Sequence, residues 1–242
     1  MYYADIHCHM LYGVDDGAKD RREMLEMLER SYDDNVRVLC VTPHFAPGHF
    51  GNNAQKASEV FAELKEYAGS KHPDMQLFMG NELFYRKGAA SWIDDGNCKT
   101  LGNSFNVLVD FRDDASAELI SEGLHRLLTA GYRPVLAHLE RYSGIFKGGL
   151  GLIRSFKVDG VLLQADSGSF LGEFGFQFRS RANRLVKAGL LDVISSDAHH
   201  AGSRRTNLKE CCRLITKKYG EEVSSRLFWG NAVRILGIDS EE

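Results

Sequence analysis

The 242-residue chain has little of several features that mark particular classes of protein. It has only four prolines, and no Ser/Gly-rich or low-complexity stretch divides it. No stretch approaches the ~20 apolar residues of a membrane span, and the N-terminus lacks the basic-then-apolar pattern of a secretory signal. Neither sign of charge is in excess, since 30 basic residues stand against 33 acidic ones. We therefore expect one domain over residues 1–242, cytoplasmic, without membrane insertion and without a nucleic-acid partner.

The five cysteines follow no pattern that indicates chemistry. Their number is odd and none forms a C-x-x-C, so reduced thiols are expected. A phosphatase with a cysteine nucleophile would need an arginine six positions after that cysteine. The five positions in question hold Val14, Ala46, Ser104, Lys217 and Lys218.

Short apolar runs alternate with helical patterns along the whole chain. Seven runs rich in Val, Leu, Ile and Phe predict buried strands, at about 3–8, 36–43, 76–83, 105–111, 133–139, 159–166 and 191–197. Six segments predict helices, at about 19–34, 54–68, 116–130, 148–157, 178–188 and 205–219. Repeated βα units imply a parallel sheet with right-handed crossovers. Seven or eight of them favour a barrel, but periodicity does not separate a barrel from a doubly wound open sheet.

Two histidines stand at the end of the first predicted strand. His7 and His9 are two residues apart and therefore face the same side of a strand, while Cys8 faces the other side. Both imidazoles can reach one metal ion from there. Packing alone also produces this pattern, so its meaning depends on the later strands.

Residues of ligand type recur where the later strands end. The ligand-type residues after the first strand are Asp16, His44, Glu82, Asp110, His138, Asp197 and His199. The sixth strand instead ends in Gln164 and Asp166. Functional sites lie at this end of barrels and of open α/β sheets. Imidazoles and carboxylates without thiolates suit Mn, Fe or Zn, and their number predicts two or three divalent ions.

Some of these residues also have a plainer interpretation. Asp16 lies in an Asp-Asp-Gly sequence that can be only a turn and helix cap, and Asp110 can cap a strand end. Glu140 shares the side of His138 and can support a ligand rather than be one. Arg141 and Arg204 can be ordinary solvated charges, although arginine beside a metal centre is well suited to hold a phosphate.

Taken in order, these motifs resemble the polymerase and histidinol phosphatase (PHP) superfamily. The residues that carry the resemblance are His7-x-His9, Thr42-Pro43-His44, Gly80-Asn81-Glu82, Ala137-His138-Leu139-Glu140-Arg141-Tyr142 and Ser196-Asp197-Ala198-His199. Val14-Asp15-Asp16-Gly17 and the His138–Tyr142 motif are similar to those of bacterial metal-dependent protein-tyrosine phosphatases from capsule and exopolysaccharide operons. The resemblance extends through to Asn231.

The resemblance implies an α/β fold, a distorted seven-stranded (β/α)7 TIM-like barrel of the PHP type, with a trinuclear centre that is usually manganese-dependent. It implies three ligand sets: His7, His9, Glu82 and Asp197; Asp16, His44 and His199; and Glu82, Asp110 and His138, with Glu82 bridging. Arg141 and Arg204 match arginines placed at the substrate phosphate, and with His199 they are the expected catalytic residues. The chain departs from the family at Asp110, where a glutamate is usual and the side chain is shorter by roughly 1.5 Å.

Our hypothesis is therefore hydrolysis of protein phosphotyrosine by a metal-activated hydroxide, with ions and arginines stabilising the charge on the phosphoryl oxygens. The resemblance implies the phosphotyrosine-bearing tail of a bacterial tyrosine kinase, one that controls capsular or exopolysaccharide export, as the substrate. One alternative is a small-molecule phosphate monoesterase such as histidinol phosphatase. Another is a metal-stabilised regulatory module that binds phosphorylated tails without turnover. An amidohydrolase is disfavoured, because no lysine follows the fourth strand to carry a bridging carbamate.

Overall fold

A computed structural model describes residues 1–49 and 54–238, and these form a curled parallel β-sheet with helices around it. All strand pairings in the described residues are parallel. The strands are β1 (Tyr3–Asp5), β2 (Val36–Val41), β3 (His44–Phe45), β4 (Gln76–Met79), β5 (Glu82–Phe84), β6 (Asn106–Asp110), β7 (Arg133–Leu136), β8 (Leu162–Asp166) and β9 (Val193–Ser195).

The predicted count of seven strands is not confirmed. A further short strand, β3, follows the second predicted strand, and the third predicted strand is interrupted. Thr42-Pro43 separates β2 from β3, and Gly80-Asn81 separates β4 from β5. Pro43 has no N–H to donate to a ladder, and its carbonyl accepts from the backbone N–H of Glu82 at 3.1 Å. The ladders consequently run β1-β2-β4 in one sheet and β3-β5-β6-β7-β8-β9 in the other.

The first and last strands meet beyond their carboxyl ends. Cys8 and Ala198 form a parallel bridge. The backbone N–H of His9 donates to the carbonyl of Ala198 at 2.7 Å, and that of Asp197 donates to the carbonyl of His7 at 2.9 Å. An open doubly wound sheet would keep these edges apart. The curl therefore brings the two N-terminal histidines next to the Asp197 segment.

Apolar side chains fill the inside of the curl. Ala4, Val38, Leu108 and Val135 belong to one buried cluster, together with residues of the last helix, Asn231–Ile235. That helix also accepts a hydrogen bond from Asn106 Nδ2 at the start of β6. Because this cluster fills the amino-terminal end, the carboxyl ends of the strands are left for polar side chains.

Helices occupy the crossovers between strands. They are α1 (Arg21–Asp33), α2 (Ala54–Lys71), α3 (Ala89–Asp94), α4 (Ala117–Thr129), α5 (Gly151–Val158), α6 (Ser167–Leu171), α7 (Phe176–Lys187), α8 (Leu208–Tyr219), α9 (Glu221–Ser225) and α10 (Asn231–Ile235). The six predicted helices correspond to α1, α2, α4, α5, α7 and α8, whereas the four shorter ones were not predicted. Nothing helical in the described ranges has the length and apolar character needed to cross a bilayer.

Candidate metal centre

All nine residues predicted as metal ligands lie at the carboxyl end of the sheet. Ligand atoms within 4.8 Å of one another form three groups: His9, Asp16, His44 and His199; His7, His9 and Glu82; and Glu82, Asp110 and His138. The remaining residue, Asp197, places Oδ1 3.3 Å from His7 Nε2 and 3.4 Å from His9 Nε2. The sequence therefore identified a set of side chains that the fold brings together.

Glu82 lies at the middle of the cluster. Its Oε1 is 2.9 Å from His138 Nε2 and 3.3 Å from His7 Nε2. Its Oε2 is 2.6 Å from His44 Nδ1 and 3.3 Å from His9 Nε2. The two oxygens of one carboxylate thus face different histidines, which is the arrangement needed to bridge two cations.

The donor set around His9 fits divalent metal ions. His9 Nδ1 lies 2.8 Å from Asp15 Oδ2, a contact that places the proton of a neutral imidazole on Nδ1. The lone pair on Nε2 then faces His7 Nε2 at 3.2 Å, and the oxygens of Glu82 and Asp197 at 3.3 and 3.4 Å. These neighbours are all electron-rich. A shared cation satisfies such a group, and hydrogen bonds among neutral imidazoles and carboxylates do not.

The same excess of acceptor groups around His9 shifts the protonation equilibria of the cluster. Burial lowers the pKa of His9, but Asp15, Asp197 and Glu82 outweigh burial, so that the pKa lies well above its ordinary value. Burial raises the pKa of Asp197, but His7, His9 and nearby cations hold it well below the usual range. The Asp197 carboxylate therefore stays ionised, and the cluster attracts positive charge.

Side chains behind the candidate ligands hold them in place. Gln164 Oε1 accepts from the backbone N–H of His138 at 2.7 Å and lies 3.4 Å from His7 Nδ1. Tyr142 donates its hydroxyl to Asp110 Oδ1 at 2.7 Å. Asp15, besides its contact with His9, accepts from the backbone N–H of His44 at 2.9 Å. Sequence reasoning did not assign these supporting roles, although Asp15 and Gln164 stood in the stretches that it singled out.

The backbone is strained at the same place. Among the described residues other than glycine, four have a positive φ, and three of them belong to the predicted site: His138 at 30°, Asp197 at 50° and Arg204 at 48°. This left-handed region is unfavourable for residues with a Cβ and persists where the surroundings enforce it. The strain supports a functional rather than a merely structural use of these three residues.

Both predicted phosphate-binding arginines reach the cluster through one carboxylate. Arg141 Nη2 lies 2.8 Å from Asp197 Oδ2 and 2.5 Å from Asp166 Oδ2. Arg204 Nη2 also lies 2.8 Å from Asp197 Oδ2. Their side chains are 19% and 34% exposed, so each arginine keeps some surface open to solvent. Glu140 is set further back, where it accepts from the backbone N–H of Asp166 at 3.0 Å.

Comparison with known proteins decides the family. A family model described as "Capsular polysaccharide synthesis, CpsB/CapC" matches residues 3–237. The chain belongs to this CpsB/CapC family. The predicted resemblance to the phosphatases of capsule operons is thereby confirmed at the level of the family.

Other members of the CpsB/CapC family align with nearly the whole chain. The tyrosine-protein phosphatase CpsB of Streptococcus pneumoniae is 31% identical over 237 residues, which cover 96% of this chain and 97% of the relative. The tyrosine-protein phosphatase YwqE of Bacillus subtilis is 28% identical over 219 residues, covering 90% and 86%. A crystal structure from work on YwqE of B. subtilis and CpsB of S. pneumoniae, described as metal-dependent tyrosine phosphatases, matches with a TM-score of 0.88 and 27% identity. It covers 98% of this chain and 95% of the solved one.

Proposed function

We propose that this protein is a metal-dependent phosphotyrosine-protein phosphatase. The observation that carries the proposal is that Arg141 and Arg204 share one oxygen of Asp197, whose other oxygen faces His7 and His9. Phosphate-binding groups and a cation-binding cluster thus meet at one carboxylate. Membership of a family whose relatives are named tyrosine-protein phosphatases supports the choice of substrate.

Three ligand sets are proposed for the ions. They are His7, His9, Glu82 and Asp197; Asp16, His44 and His199; and Glu82, Asp110 and His138. Imidazole and carboxylate donors suit Mn, Fe or Zn, and the family resemblance favours Mn²⁺ among them. When bound, such ions supply the Lewis acidity that polarises a phosphoryl oxygen and activates water.

The protein's own groups bind and orient the ester. Arg141 and Arg204 present N–H donors to the phosphoryl oxygens, where negative charge develops during hydrolysis. Asp15 keeps the His9 imidazole turned towards the cluster. The leaving tyrosine hydroxyl has a pKa near ~10, so its departure depends little on a general acid.

The proposed macromolecular substrate is the phosphotyrosine-bearing tail of a bacterial tyrosine kinase that regulates capsular or exopolysaccharide synthesis. Family membership supports this partner. We also propose one domain with seven barrel positions, in which β3 continues β2 and β5 continues β4. The Cys8–Ala198 bridge supports that architecture because it joins the first and last of these positions.

Competing assays with metal analysis test the proposal. We expect the purified protein to contain Mn, Fe or Zn and to hydrolyse a phosphotyrosine peptide more efficiently than histidinol phosphate, with both activities lost in His199→Ala. A strong preference for histidinol phosphate would instead indicate the small-molecule phosphatase. Tight binding of the phosphopeptide without release of phosphate, in protein shown to be metal-loaded, would indicate a regulatory module.

A further inference from the structure

Phe174 lies against Arg141, whose guanidinium contacts the carboxylate of Asp197 in the cluster. The centroid of its ring is 5.1 Å from Arg141 Cζ. Nη2 of the same guanidinium contacts Asp166 and Asp197. Phe174 is only half-buried, so it keeps some surface open to solvent.

The ring of Phe174 is held in position by its surroundings. A Cβ on Gly168 would lie 2.8 Å from Phe174 Cε2 and 3.1 Å from Cζ, so the ring packs on backbone that only glycine leaves open. The preceding residue, Glu173, donates its backbone N–H to the carbonyl of Gly168 at 3.0 Å. Its carboxylate accepts from Nδ2 of the buried Asn207 at 2.9 Å. The aromatic surface is thus fixed before any substrate arrives.

We propose that Phe174 forms the subsite for the aromatic ring of the substrate and thereby favours aryl over alkyl phosphates. The inference rests on the proposed function. In an aryl phosphate the ring is one ester oxygen away from phosphorus. A phosphoryl group bound by Arg141 therefore leaves the substrate ring within reach of the side chain that lies against this arginine. Aromatic rings attract one another at centroid separations of about 4.5–7 Å.

A second aromatic residue lies near the site and provides the competing assignment. Phe84 is two residues after Glu82 on β5 and therefore faces the same side of the strand. The arginine near its ring is Arg86, 5.8 Å from the centroid. Arg86 donates to the carbonyl of Pro47 and, among the contacts of the described residues, to no carboxylate of the cluster. Phe174 is favoured because its arginine belongs to the cluster.

Calorimetric binding of two phosphonates, which are not hydrolysed, tests the subsite. Phenylphosphonate carries a phenyl group where methylphosphonate carries a methyl group, so the ratio of their dissociation constants reports on ring binding. We expect Phe174→Ala to raise the dissociation constant of phenylphosphonate by about three- to tenfold and that of methylphosphonate by less than about twofold. Phe174→Tyr should keep the wild-type ratio of the two dissociation constants. The exposed Phe176, in the same segment, provides the control Phe176→Ala, which should leave the ratio unchanged.

Phe174→Leu keeps an apolar side chain over Gly168. It is therefore the second variant, which tests the subsite even where the alanine variant fails to fold. It should also lose the preference for phenylphosphonate, with metal content and thermal midpoint close to the wild type. Equal weakening of both phosphonates would mean that Phe174 only positions Arg141, and would overturn the inference. The inference would also be overturned if Phe84→Ala lost the preference for phenylphosphonate and Phe174→Ala kept it. Failure of the proposed function is distinguishable, because it would appear as absent hydrolysis of phosphotyrosine by the wild type, whereas these binding ratios need no turnover.

Discussion

Asp15 and His9 form a carboxylate–imidazole pair at the edge of the candidate metal centre, with Oδ2 2.8 Å from Nδ1. The pair is buried, and it fixes Nε2 towards Glu82 and Asp197. Loss of such a supporting carboxylate typically costs 10–100-fold in metal affinity or activity. We therefore expect Asp15→Asn to raise the Mn²⁺ concentration needed for half-maximal activity by about 10–100-fold. Titration of activity with Mn²⁺, together with metal analysis of the dialysed protein, measures this change.

The matched control for this prediction is Asp113→Asn. Asp113 is exposed and, in the structure as described, has no ion pair or side-chain hydrogen bond. Its variant should behave as the wild type. If Asp15→Asn also titrated as the wild type, the orientation of His9 would not depend on Asp15 and the supporting role would be rejected.

The sequence located the candidate ligands more completely than the residues that support them. His44, Glu82 and Asp197 were predicted because the carboxyl ends of parallel strands converge, so a strand end is enough to locate a candidate ligand. Supporting contacts depend on directions that a linear pattern lacks. Tyr142, for example, reaches Asp110 through a turn in which His138 has a φ of 30°.

Local interruptions of the sheet were missed for a related reason. Pro43 ended the second predicted strand, and without an N–H it separates β2 from a further strand, β3, that was not predicted. The short helices α3, α6, α9 and α10 contain five or six residues each, too few for a helical period to stand out. The family resemblance predicted the overall architecture. The positions at which its strands break depend instead on single residues such as Pro43.

The two histidines and the cysteine between them should differ sharply in their effect on metal content. Cys8 is buried in the apolar core and lies 3.7 Å from the carbonyl of Cys40, while burial raises the pKa of its thiol well above the ordinary value. Cys8→Ser should retain its metals and lose about 1–3 kcal/mol of unfolding free energy, the cost of a hydroxyl in an apolar site. His9→Ala should lose metals. Metal analysis and urea denaturation of both variants provide the comparison.

Addition of a chelator gives an independent check on the same pair of variants. Ligands that bind only the folded state stabilise it by about 2.7 kcal/mol at 100 times their dissociation constant. EDTA should therefore lower the thermal midpoint of wild type and Cys8→Ser alike, and should change that of His9→Ala much less. A Cys8→Ser protein that is purified without metal would show instead that the thiol is a ligand.

Arg141 and Arg204 should act as a coupled pair, because both contact Asp197 Oδ2 at 2.8 Å. Arg141 also contacts Asp166 and is less exposed than Arg204. We expect Arg141→Lys to reduce kcat/KM for an aryl phosphate by about 10²-fold, since lysine lacks the planar fork of donors. The loss in Arg204→Lys should be smaller, and the losses should not be additive in the double variant.

Steady-state kinetics of the two single variants and the double variant measure this coupling. Arg126→Lys is the control, because Arg126 pairs with Glu122 on the exposed face of α4. It should retain wild-type kinetics. Independent, additive effects of the two site arginines would contradict the shared contact on Asp197.

Glu140 should give the protein a component of stability that falls as the pH rises. Its carboxyl is buried, with Oε1 accepting from Asp166 N and Ser169 Oγ and with Oε2 lacking a hydrogen bond within the described residues. Burial, and then the charge of Asp166, raises its pKa from 4.5 to about 7. The folded state therefore binds more protons than the unfolded state between these values. The free energy of unfolding consequently decreases as the pH rises through this interval and levels off above it.

Glu140→Gln cannot ionise, and we expect it to remove this dependence. Between about pH 5 and pH 8 the variant should lose about 1–3 kcal/mol less unfolding free energy than the wild type. Urea denaturation at a series of pH values and fixed Mn²⁺ measures both curves, and metal binding, which also varies with pH, is common to the two proteins. Glu122→Gln, on the exposed face of α4, should follow the wild type. Parallel curves for wild type and Glu140→Gln would show that Glu140 is already ionised in the folded protein, compensated by the nearby Arg141.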